Sequence, residues 1–421
     1  MHRGGLLKVF LIIAAITLLM DWYVIGGLRT LTADWQSRNL RLGILWGYGV
    51  ISVGFTLVFI LGLGSFSTAR GMTPFHEWML SIFLTFFITK LFFIIILSLG
   101  DLGRFVYGIG NNVRNDTPAG QPFFPARRKF ISEIALLIAA VPFTGFLYAM
   151  VRGKYDYKVH RQTIYFDELP DAFDGFTITQ LSDIHSGSFD NVDAMQRGID
   201  LAKAQKSDLF VFTGDLVNNA AWEIEPYIDR FGQLKAPYGQ FSILGNHDYG
   251  DYIEWDSEQA KAANLEKLKQ HHSELGYRLL LNENVTIEKD GQKIALIGIQ
   301  NWGKGFKQVG DLDKALQGVD NSAFKILLSH DPSHWEEQVR YNKNTDIHLT
   351  LSGHTHGMQF GIEIPGFKWS PVKYRYPDWA GLAKEKNRHL YVNRGFGFLA
   401  FSGRLGIWPE ITVIELKKRN V

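Results

Sequence analysis

The sequence predicts two folded parts in one chain: four transmembrane helices, followed by a layered α/β domain. Leu, Ile, Phe, Val and Gly dominate as far as about residue 151. Beyond that point charged residues recur, and short apolar strands alternate with helical patterns. The 421 residues leave room for two or three units, at roughly 150 residues each.

Four apolar stretches are long enough to cross a bilayer, which requires about 20 residues of helix. Helices of a large soluble core are the alternative, but these runs contain very few charges. A cleaved signal peptide fits poorly, because "MDWYVIGGLRT" continues into bulky residues where small ones are expected. We therefore predict a transmembrane region over residues 1–151, with spans at about 6–28, 40–63, 77–99 and 130–151.

The orientation of the membrane region rests on one motif, because basic residues are nearly balanced between the two sides. Arg127 and Arg128 directly precede the apolar run in "ARRKFISEIALLIAAVPF", which resembles a twin-arginine export signal. This favours an integral protein of the bacterial cell membrane whose soluble domain is extracytoplasmic. An ordinary basic anchor has a similar sequence, so the opposite orientation stays open.

Three charged residues lie within or near the ends of the predicted spans. Counting about 1.5 Å per helical residue places Asp21, Lys90 and Glu133 in one leaflet, with Lys90 within reach of Asp21. Charges inside a bilayer are functional candidates by default, but a structural ion pair satisfies the same energetics. We favour the structural pair.

Composition limits the chemistry of the soluble part. The chain has no cysteine, so any metal must be held by nitrogen and oxygen ligands. A net charge of +2 is too small to indicate a nucleic-acid surface, and no nucleic-acid partner is predicted. Histidine, aspartate and asparagine are therefore the candidate ligands.

Strands and helices alternate in the soluble part, which predicts a layered α/β fold with ligands beyond the carboxyl ends of the strands. Helices are predicted at 190–205, 222–234 and 256–275. Strands are predicted at 176–182, 208–214, 239–245, 293–299, 324–330 and 346–353.

Polar side chains of one chemical kind follow five of the predicted strands. Any one of these motifs could be turn chemistry, since Asp, Asn and Gly favour turns for backbone reasons. Their repetition directly after successive strands instead predicts a convergent site. In chain order the residues are Asp183 and His185, Asp215, the run Asn246, His247 and Asp248, then His330, and finally His354 and His356.

The ordered motifs D-x-H, G-D, G-N-H-D, a lone His and G-H-x-H resemble those of the calcineurin-like metallophosphoesterase superfamily. The resemblance covers about residues 158–421 and lacks none of the motif residues. "LPDAFDGFTITQLSDIHSG" and "YVNRGFGFLAFSGRLGIWPEITVIEL" are similar to a membrane-anchored branch that includes bacterial phosphodiesterases. The resemblance implies a β-sandwich flanked by helices over 158–421. Four spans depart from the single anchor common in that branch.

The resemblance also implies a site for two divalent ions, with Mn, Zn and Fe as candidates. Asp215 would bridge them, and a metal-bridging hydroxide would attack a phosphodiester or phosphomonoester in line. His247 would be a general acid or transition-state stabiliser, and Asp248 would orient or polarise it. The implied ligands are Asp183, His185, Asp215 and His356 for the first metal, and Asp215, Asn246, His330 and His354 for the second.

Several alternatives remain open at this stage. The substrate is a phosphoester, for which a lipid-linked phosphate near the membrane is one candidate. The chain could instead be a receptor or scaffold that binds a phosphorylated ligand without turnover, or a transporter with an accessory phosphoesterase. Loops 301–310 and 367–382 are expected to select the substrate. The aromatic-rich loop 367–382 lines an entrance, rests on the bilayer or packs internally. The oligomeric state is not predicted.

Overall fold

The computed structural model describes residues 3–66, 72–113, 125–342 and 345–419. Parts of the predicted transmembrane region, residues 1–2, 67–71 and 114–124, lie outside the described residues. The chain divides into two compact units, Met1–Tyr148 and Ala149–Val421.

The first unit contains the four predicted membrane helices, and this part of the fold prediction is confirmed. Each helix contains a segment long and apolar enough to cross a bilayer. The third helix runs well past the predicted end at residue 99, because "LGRFVYG" contains a single charged residue, Arg104, among apolar ones. The helices are α1 (Arg3–Leu31), α2 (Arg38–Phe66), α3 (Pro74–Val113) and α4 (Pro125–Val151).

Asp21 and Lys90 form the ion pair that the sequence predicts between α1 and α3. Lys90 Nζ lies 2.7 Å from Asp21 Oδ1, and both residues are buried in the bundle. Two hydroxyls of α2 donate to the same carboxylate, Tyr48 at 2.7 Å and Ser52 at 2.8 Å. Glu133, the third charged residue, lies exposed on α4.

The second unit is a sandwich of two six-stranded sheets with a separate two-stranded ribbon. The first sheet has the order β1-β14-β2-β3-β4-β5, and the second has the order β12-β13-β9-β8-β7-β6. The strands are β1 (Lys158–Phe166), β2 (Thr177–Leu181), β3 (Leu209–Phe212), β4 (Gln240–Ser242), β5 (Arg278–Leu279), β6 (Glu283–Lys289), β7 (Gln292–Gly298), β8 (Phe324–Leu328), β9 (Leu349–Ser352), β10 (Ile362–Ile364), β11 (Phe367–Trp369), β12 (Gly381–Glu385), β13 (Arg388–Val392) and β14 (Glu410–Lys418).

The main hydrophobic core lies between the two sheets. Apolar residues of β2 and β3, such as Ile178 and Val211, share one buried cluster with Leu296, Ile326 and Leu351 of the opposite sheet. Helices cover the outer faces in two further apolar clusters. These helices are α5 (Val192–Lys203), α6 (Ile228–Phe231), α7 (Glu258–Glu274) and α8 (Leu312–Ala315). The expected sandwich flanked by helices is therefore confirmed.

One predicted helix is wrong as a continuous element. Residues 222–234 form two short 3₁₀ turns, Ala221–Glu223 and Glu225–Tyr227, before the single turn of α6. The carboxylate of Glu223 accepts hydrogen bonds from three backbone N–H groups of the preceding loop. The segment is therefore tied back to that loop, and Pro226 also lacks the N–H that a regular helix needs.

The parallel strands bring the motif residues to one end of the sandwich. β2, β3 and β4 are parallel neighbours in the first sheet, and β7, β8 and β9 are parallel neighbours in the second. Since every motif follows one of these strands, their carboxyl ends gather all the candidate residues.

Candidate metal centre

The candidate residues form two adjacent groups at the carboxyl ends of the strands. One group holds Asp183, His185 and His356, and the other holds Asp215, His330 and His354. Within each group the possible ligand atoms lie within 4.8 Å of one another. Each group contains one carboxylate and two imidazoles, which suits borderline divalent ions.

The two groups meet at the carboxylate of Asp215. Its Oδ2 lies 3.1 Å from His330 Nε2 and 3.6 Å from His185 Nε2, so one oxygen faces both groups. The backbone N–H of His354 also donates to Asp183 at 3.0 Å. The two sheets are therefore joined at the site itself.

Buried atoms without partners show that the residues fit a metal centre. In the described part of the chain, Nε2 of His185 and Oδ1 of Asn246 are buried and have no hydrogen-bond partner, and Nε2 of His330 faces the Asp215 carboxylate at 3.1 Å. The opposite nitrogens are occupied, since Nδ1 of His185 faces Asn218 Oδ1 at 3.1 Å and Nδ1 of His330 faces the Thr213 carbonyl at 2.7 Å. Such contacts fix the ring and leave Nε2 for a ligand.

The electrostatics of the centre favour positive charge. Burial alone would raise the pKa values of Asp183 and Asp215, but the surrounding imidazoles outweigh burial and hold both pKa values below the usual range. Burial lowers the pKa of His330, yet Asp215 raises it to about 10. Burial lowers the pKa of His185, and neighbouring His356 adds to that effect. Two buried carboxylates of this kind need cationic partners.

The backbone of the centre is unusual for residues other than glycine. Positive φ angles at such positions are uncommon and cost about 1–3 kcal/mol each. The surrounding sandwich must therefore hold the centre in place. The residues and their φ angles are Asp183 at 52°, His185 at 47°, Asp215 at 60°, His354 at 72° and His356 at 50°.

Two motif glycines allow the close packing. A Cβ added at Gly245 would lie 2.2 Å from Asp215 Oδ1, and one added at Gly353 would lie 2.2 Å from Asp183 Oδ2. Any side chain at these positions would displace a candidate ligand.

His247 lies beside the centre with one ring nitrogen occupied. Its Nδ1 lies 2.7 Å from the backbone carbonyl oxygen of Asn218, and its backbone N–H donates to the Asp215 carboxylate at 2.8 Å. Its ring centroid is 4.9 Å from that of His185 and 4.3 Å from that of Tyr252, on which it stacks. Burial lowers the pKa of His247.

The resemblance implies that Asp248 acts on His247, but the carboxylate of Asp248 contacts backbone N–H groups instead. Its carboxylate accepts backbone N–H groups from Gly245 at 2.8 Å, Asp215 at 2.9 Å and Leu216 at 2.8 Å. These bonds tie the loop after β3 to the loop after β4. Burial, and then the charge of Asp215, raise the pKa of Asp248 to about 7. The contact that orients His247 comes from Asn218, which sequence reasoning missed.

Sequence reasoning also missed aromatic contacts to two candidate ligands. Asn246 Nδ2 donates to the Tyr252 hydroxyl at 2.7 Å. His354 Nε2 lies 3.0 Å from the Tyr376 hydroxyl and 3.4 Å from Asp331 Oδ2. Tyr376 shows that the loop 367–382 reaches the centre. No short motif marks these residues, because their proximity depends on how distant loops fold.

Sandwich and site together define a metal-dependent phosphoesterase, and comparisons with known proteins place the chain in a family. Residues 7–154 match the model "Probable Calcineurin-like phosphoesterase, transmembrane domain", and residues 176–358 match the model "Calcineurin-like phosphoesterase". The chain belongs to the calcineurin-like metallophosphoesterase family. A family model describes the four-span region, so other proteins also have four spans where a single anchor was expected.

Three relatives illustrate this membership. "Uncharacterized metallophosphoesterase YkuE" of Bacillus subtilis is 30% identical over 301 residues, covering 70% of this chain and 99% of that protein. "Phosphodiesterase YaeI" of Escherichia coli is 27% identical over 299 residues, covering 69% and 99%. "Transmembrane protein with metallophosphoesterase domain" of Danio rerio is 29% identical over 293 residues, covering 68% and 62%.

These findings confirm the coarser functional predictions. The chain is a membrane protein and a metal-dependent phosphoric ester hydrolase, with a phosphoester as its substrate class. Its family uses divalent metals, and the structure contains two candidate groups of ligands.

Proposed function

We propose that the chain is a dinuclear-metal phosphoesterase anchored by residues 1–151, with its catalytic domain over 158–421. The substrate is a phosphodiester or phosphomonoester, and we favour one linked to a lipid. The observation that carries this proposal is the pair of buried ligand groups that meet at Asp215. Membership of a phosphoesterase family supports hydrolysis.

We assign the candidate ligands to two sites that share Asp215. Asp183, His185 and His356 complete one site, and Asn246, His330 and His354 complete the other. The mixed nitrogen and oxygen donors favour Mn, Zn or Fe. When bound, two divalent ions would lower the pKa of the attacking water and neutralise the phosphoryl oxygens.

In this proposal His247 would act in its doubly protonated form, giving the proton on Nε2 to the leaving oxygen and keeping the proton on Nδ1. The Asn218 carbonyl at 2.7 Å holds a proton on Nδ1, so Nε2 is the nitrogen that serves the substrate. Asn218 also contacts His185, and it thereby fixes the position of the acid relative to one candidate ligand. Asp248 maintains the two loops that carry Asp215 and His247.

The test uses the full chain in lipid nanodiscs with a chromogenic phosphodiester and a chromogenic phosphomonoester, with and without Mn. We expect Mn-dependent turnover of at least one substrate. His247→Gln should lower turnover by about 10²–10⁴-fold and keep the metal content, whereas His354→Ala should lose metal. A metal-loaded chain that hydrolyses neither substrate would contradict the proposal and favour a receptor or scaffold.

We further propose that this is a bacterial cell-membrane protein with an extracytoplasmic catalytic domain. The support is the pair Arg127 and Arg128 directly before the apolar part of α4. Externally added protease should digest the catalytic domain in intact spheroplasts. Protection until the membrane is opened would reverse the orientation.

A further inference from the structure

The ribbon of β10 and β11 has one apolar face. Its register pairs Ile362 with Trp369 and Ile364 with Phe367. Directly paired residues lie on the same side of a ribbon, and alternate residues share a face. These four side chains therefore form one apolar surface, which we call the ribbon face, while Glu363 and Lys368 occupy the other side.

The charged side of the ribbon is turned toward the body of the domain. Glu363 accepts hydrogen bonds from Arg394 at 2.5 and 3.0 Å, and Arg394 is buried and paired with Glu410 at 2.5 Å. Lys368 Nζ lies 5.1 Å from the Trp379 ring centroid and donates to the Ala380 carbonyl. The polar residues thus anchor the ribbon to the domain.

The ribbon face is consequently turned outward. Ile362 is 49% exposed, Ile364 58% and Phe367 53%, whereas Trp369 at the base of the ribbon is half-buried. Glu363 and Lys368 also remain exposed, but they are the ribbon residues that contact the domain, so among the described residues the apolar side chains lack the covering element of a usual sheet. A contiguous exposed apolar surface indicates an apolar partner, whereas single exposed residues need no explanation.

The chain itself indicates which partner is available. Four membrane spans precede the domain, and only residues 152–157 separate α4 from β1, so the domain is tethered to a bilayer. Exposed Lys373, Tyr374 and Arg375 follow the ribbon closely in the chain. Aromatic and basic residues are favoured at the interface of a membrane with anionic lipids.

The ribbon is also attached to the candidate metal centre. Only the five residues 357–361 separate Ile362, the first residue of the ribbon, from His356, the second histidine of "GHTHG". At its base, the Ser370 hydroxyl donates to the Gly357 carbonyl at 2.7 Å. A surface that binds lipid at the ribbon would therefore hold the centre close to the headgroups.

We propose that the ribbon face docks into the bilayer interface and presents the metal centre to a phosphoester embedded in the same membrane. The substrate part of this inference rests on the proposed function, whereas docking can be measured without turnover.

The docking test uses the absence of native cysteine. Phe367→Cys is spin-labelled in the full chain, reconstituted in nanodiscs containing phosphatidylglycerol. Tyr165→Cys is the matched control, because Tyr165 is also 53% exposed. It lies at the end of β1, which is antiparallel to β2, and therefore at the end of the sandwich away from the centre.

Collisions with oxygen and with a water-soluble nickel complex distinguish the outcomes. We expect the spin label at 367 to collide mainly with oxygen and the spin label at 165 to collide mainly with the nickel complex. Nickel access at 367 equal to that of the control would place the ribbon face in water and overturn the proposal. Protection at 367 from both agents would indicate a protein partner or a second copy, and would also overturn it.

A kinetic test addresses the substrate. The double variant Ile362→Asp with Ile364→Asp should lower hydrolysis of fluorescent phosphatidic acid or phosphatidylglycerol in the nanodisc by at least about tenfold. Turnover of the soluble chromogenic substrate and metal content should stay unchanged in this double variant, whose two residues lie on the ribbon face outside the loop 367–382. Equal losses on both substrates, or no loss on either, would contradict docking. If the unmodified chain hydrolyses no substrate, the proposed function fails, while the spin-label result still decides docking.

Discussion

The membrane bundle and the metal centre both bury carboxylates, but they satisfy them differently. In the bundle, Asp21 is neutralised by Lys90 and also accepts hydrogen bonds from Tyr48 and Ser52. In the centre, among the described residues, Nε2 of His185 and Oδ1 of Asn246 are buried without a hydrogen-bond partner, and Asp215 faces only imidazoles of the two groups at its Oδ2. A buried charge therefore does not by itself indicate function, whereas two adjacent groups of carboxylates and imidazoles that meet at one shared carboxylate indicate a metal site.

The backbone shows the same contrast. Asp21 and Lys90 lie within the long regular helices α1 and α3. The centre instead places Asp183, Asp215 and His354 in left-handed backbone conformations and requires glycine at close contacts. Strain of this kind persists only where the surrounding structure enforces it, and it concentrates at functional sites.

The largest expected effect comes from the carboxylate shared by the two groups. Asp215→Asn should lower turnover by about 10³-fold or more and reduce bound metal, because the proposal assigns this one side chain to both sites. The matched control, Asp21→Asn, should leave metal content and soluble-substrate turnover intact. Elemental analysis and the chromogenic assay measure both variants. Full metal loading and full activity in Asp215→Asn would contradict the assignment of Asp215 to both metal sites.

The second prediction concerns the stability of the bundle. Lys90→Met leaves Asp21 buried without its cation and should destabilise the chain by about 3–5 kcal/mol. Asp21→Leu combined with Lys90→Met should recover much of that loss, since no charge remains unpaired. Chemical unfolding in detergent, monitored by circular dichroism, measures the difference. A double variant as unstable as the single one would indicate a role beyond pairing.

The third prediction concerns removal of metal from the centre. Each ion present at 100 times its dissociation constant should stabilise the folded catalytic domain by about 2.7 kcal/mol. A chelator should therefore lower the thermal midpoint of the domain and abolish turnover, and added Mn should restore both. Lys90→Met should respond to the chelator by the same shift, because its defect lies elsewhere. An unchanged midpoint after complete metal removal would argue against coupling between ion binding and folding.

The smallest predicted effect comes from Tyr252. Tyr252→Phe removes the hydroxyl that accepts from Asn246 Nδ2, but it keeps the ring that stacks on His247. We expect a loss of metal affinity of about tenfold, with little change in turnover once the site is saturated. A metal titration monitored by activity and by calorimetry separates these quantities, with Tyr165→Phe as a control. Unchanged affinity would show that Asn246 needs no such support.

The sequence predicts the parts of the structure that depend on local patterns. The membrane helices follow from length and hydropathy, and the motif residues converge because each directly follows a parallel strand. The pairing of β1 with β14 could not be predicted, because it joins segments about 250 residues apart, as at Lys158 and Glu410. The broken helix at 222–234 depends on the contacts of Glu223 with the loop before it.

The remaining surprises concern the direction of side chains. Asp248 is adjacent to His247 in the sequence, but its carboxylate accepts hydrogen bonds from the backbone of neighbouring loops. The ring of His247 contacts the backbone carbonyl of Asn218 instead. The outward ribbon face likewise depends on where Glu363 and Lys368 find their partners. Adjacency in the chain therefore does not determine which groups meet.

Metal stoichiometry of the folded full chain tests the central claim most directly. Protein purified without chelator and supplied with Mn should contain two divalent ions per chain, corresponding to the two groups that meet at Asp215. Elemental analysis alongside circular dichroism provides the measurement. A correctly folded chain that binds no ions, or that saturates at one, would contradict a paired centre.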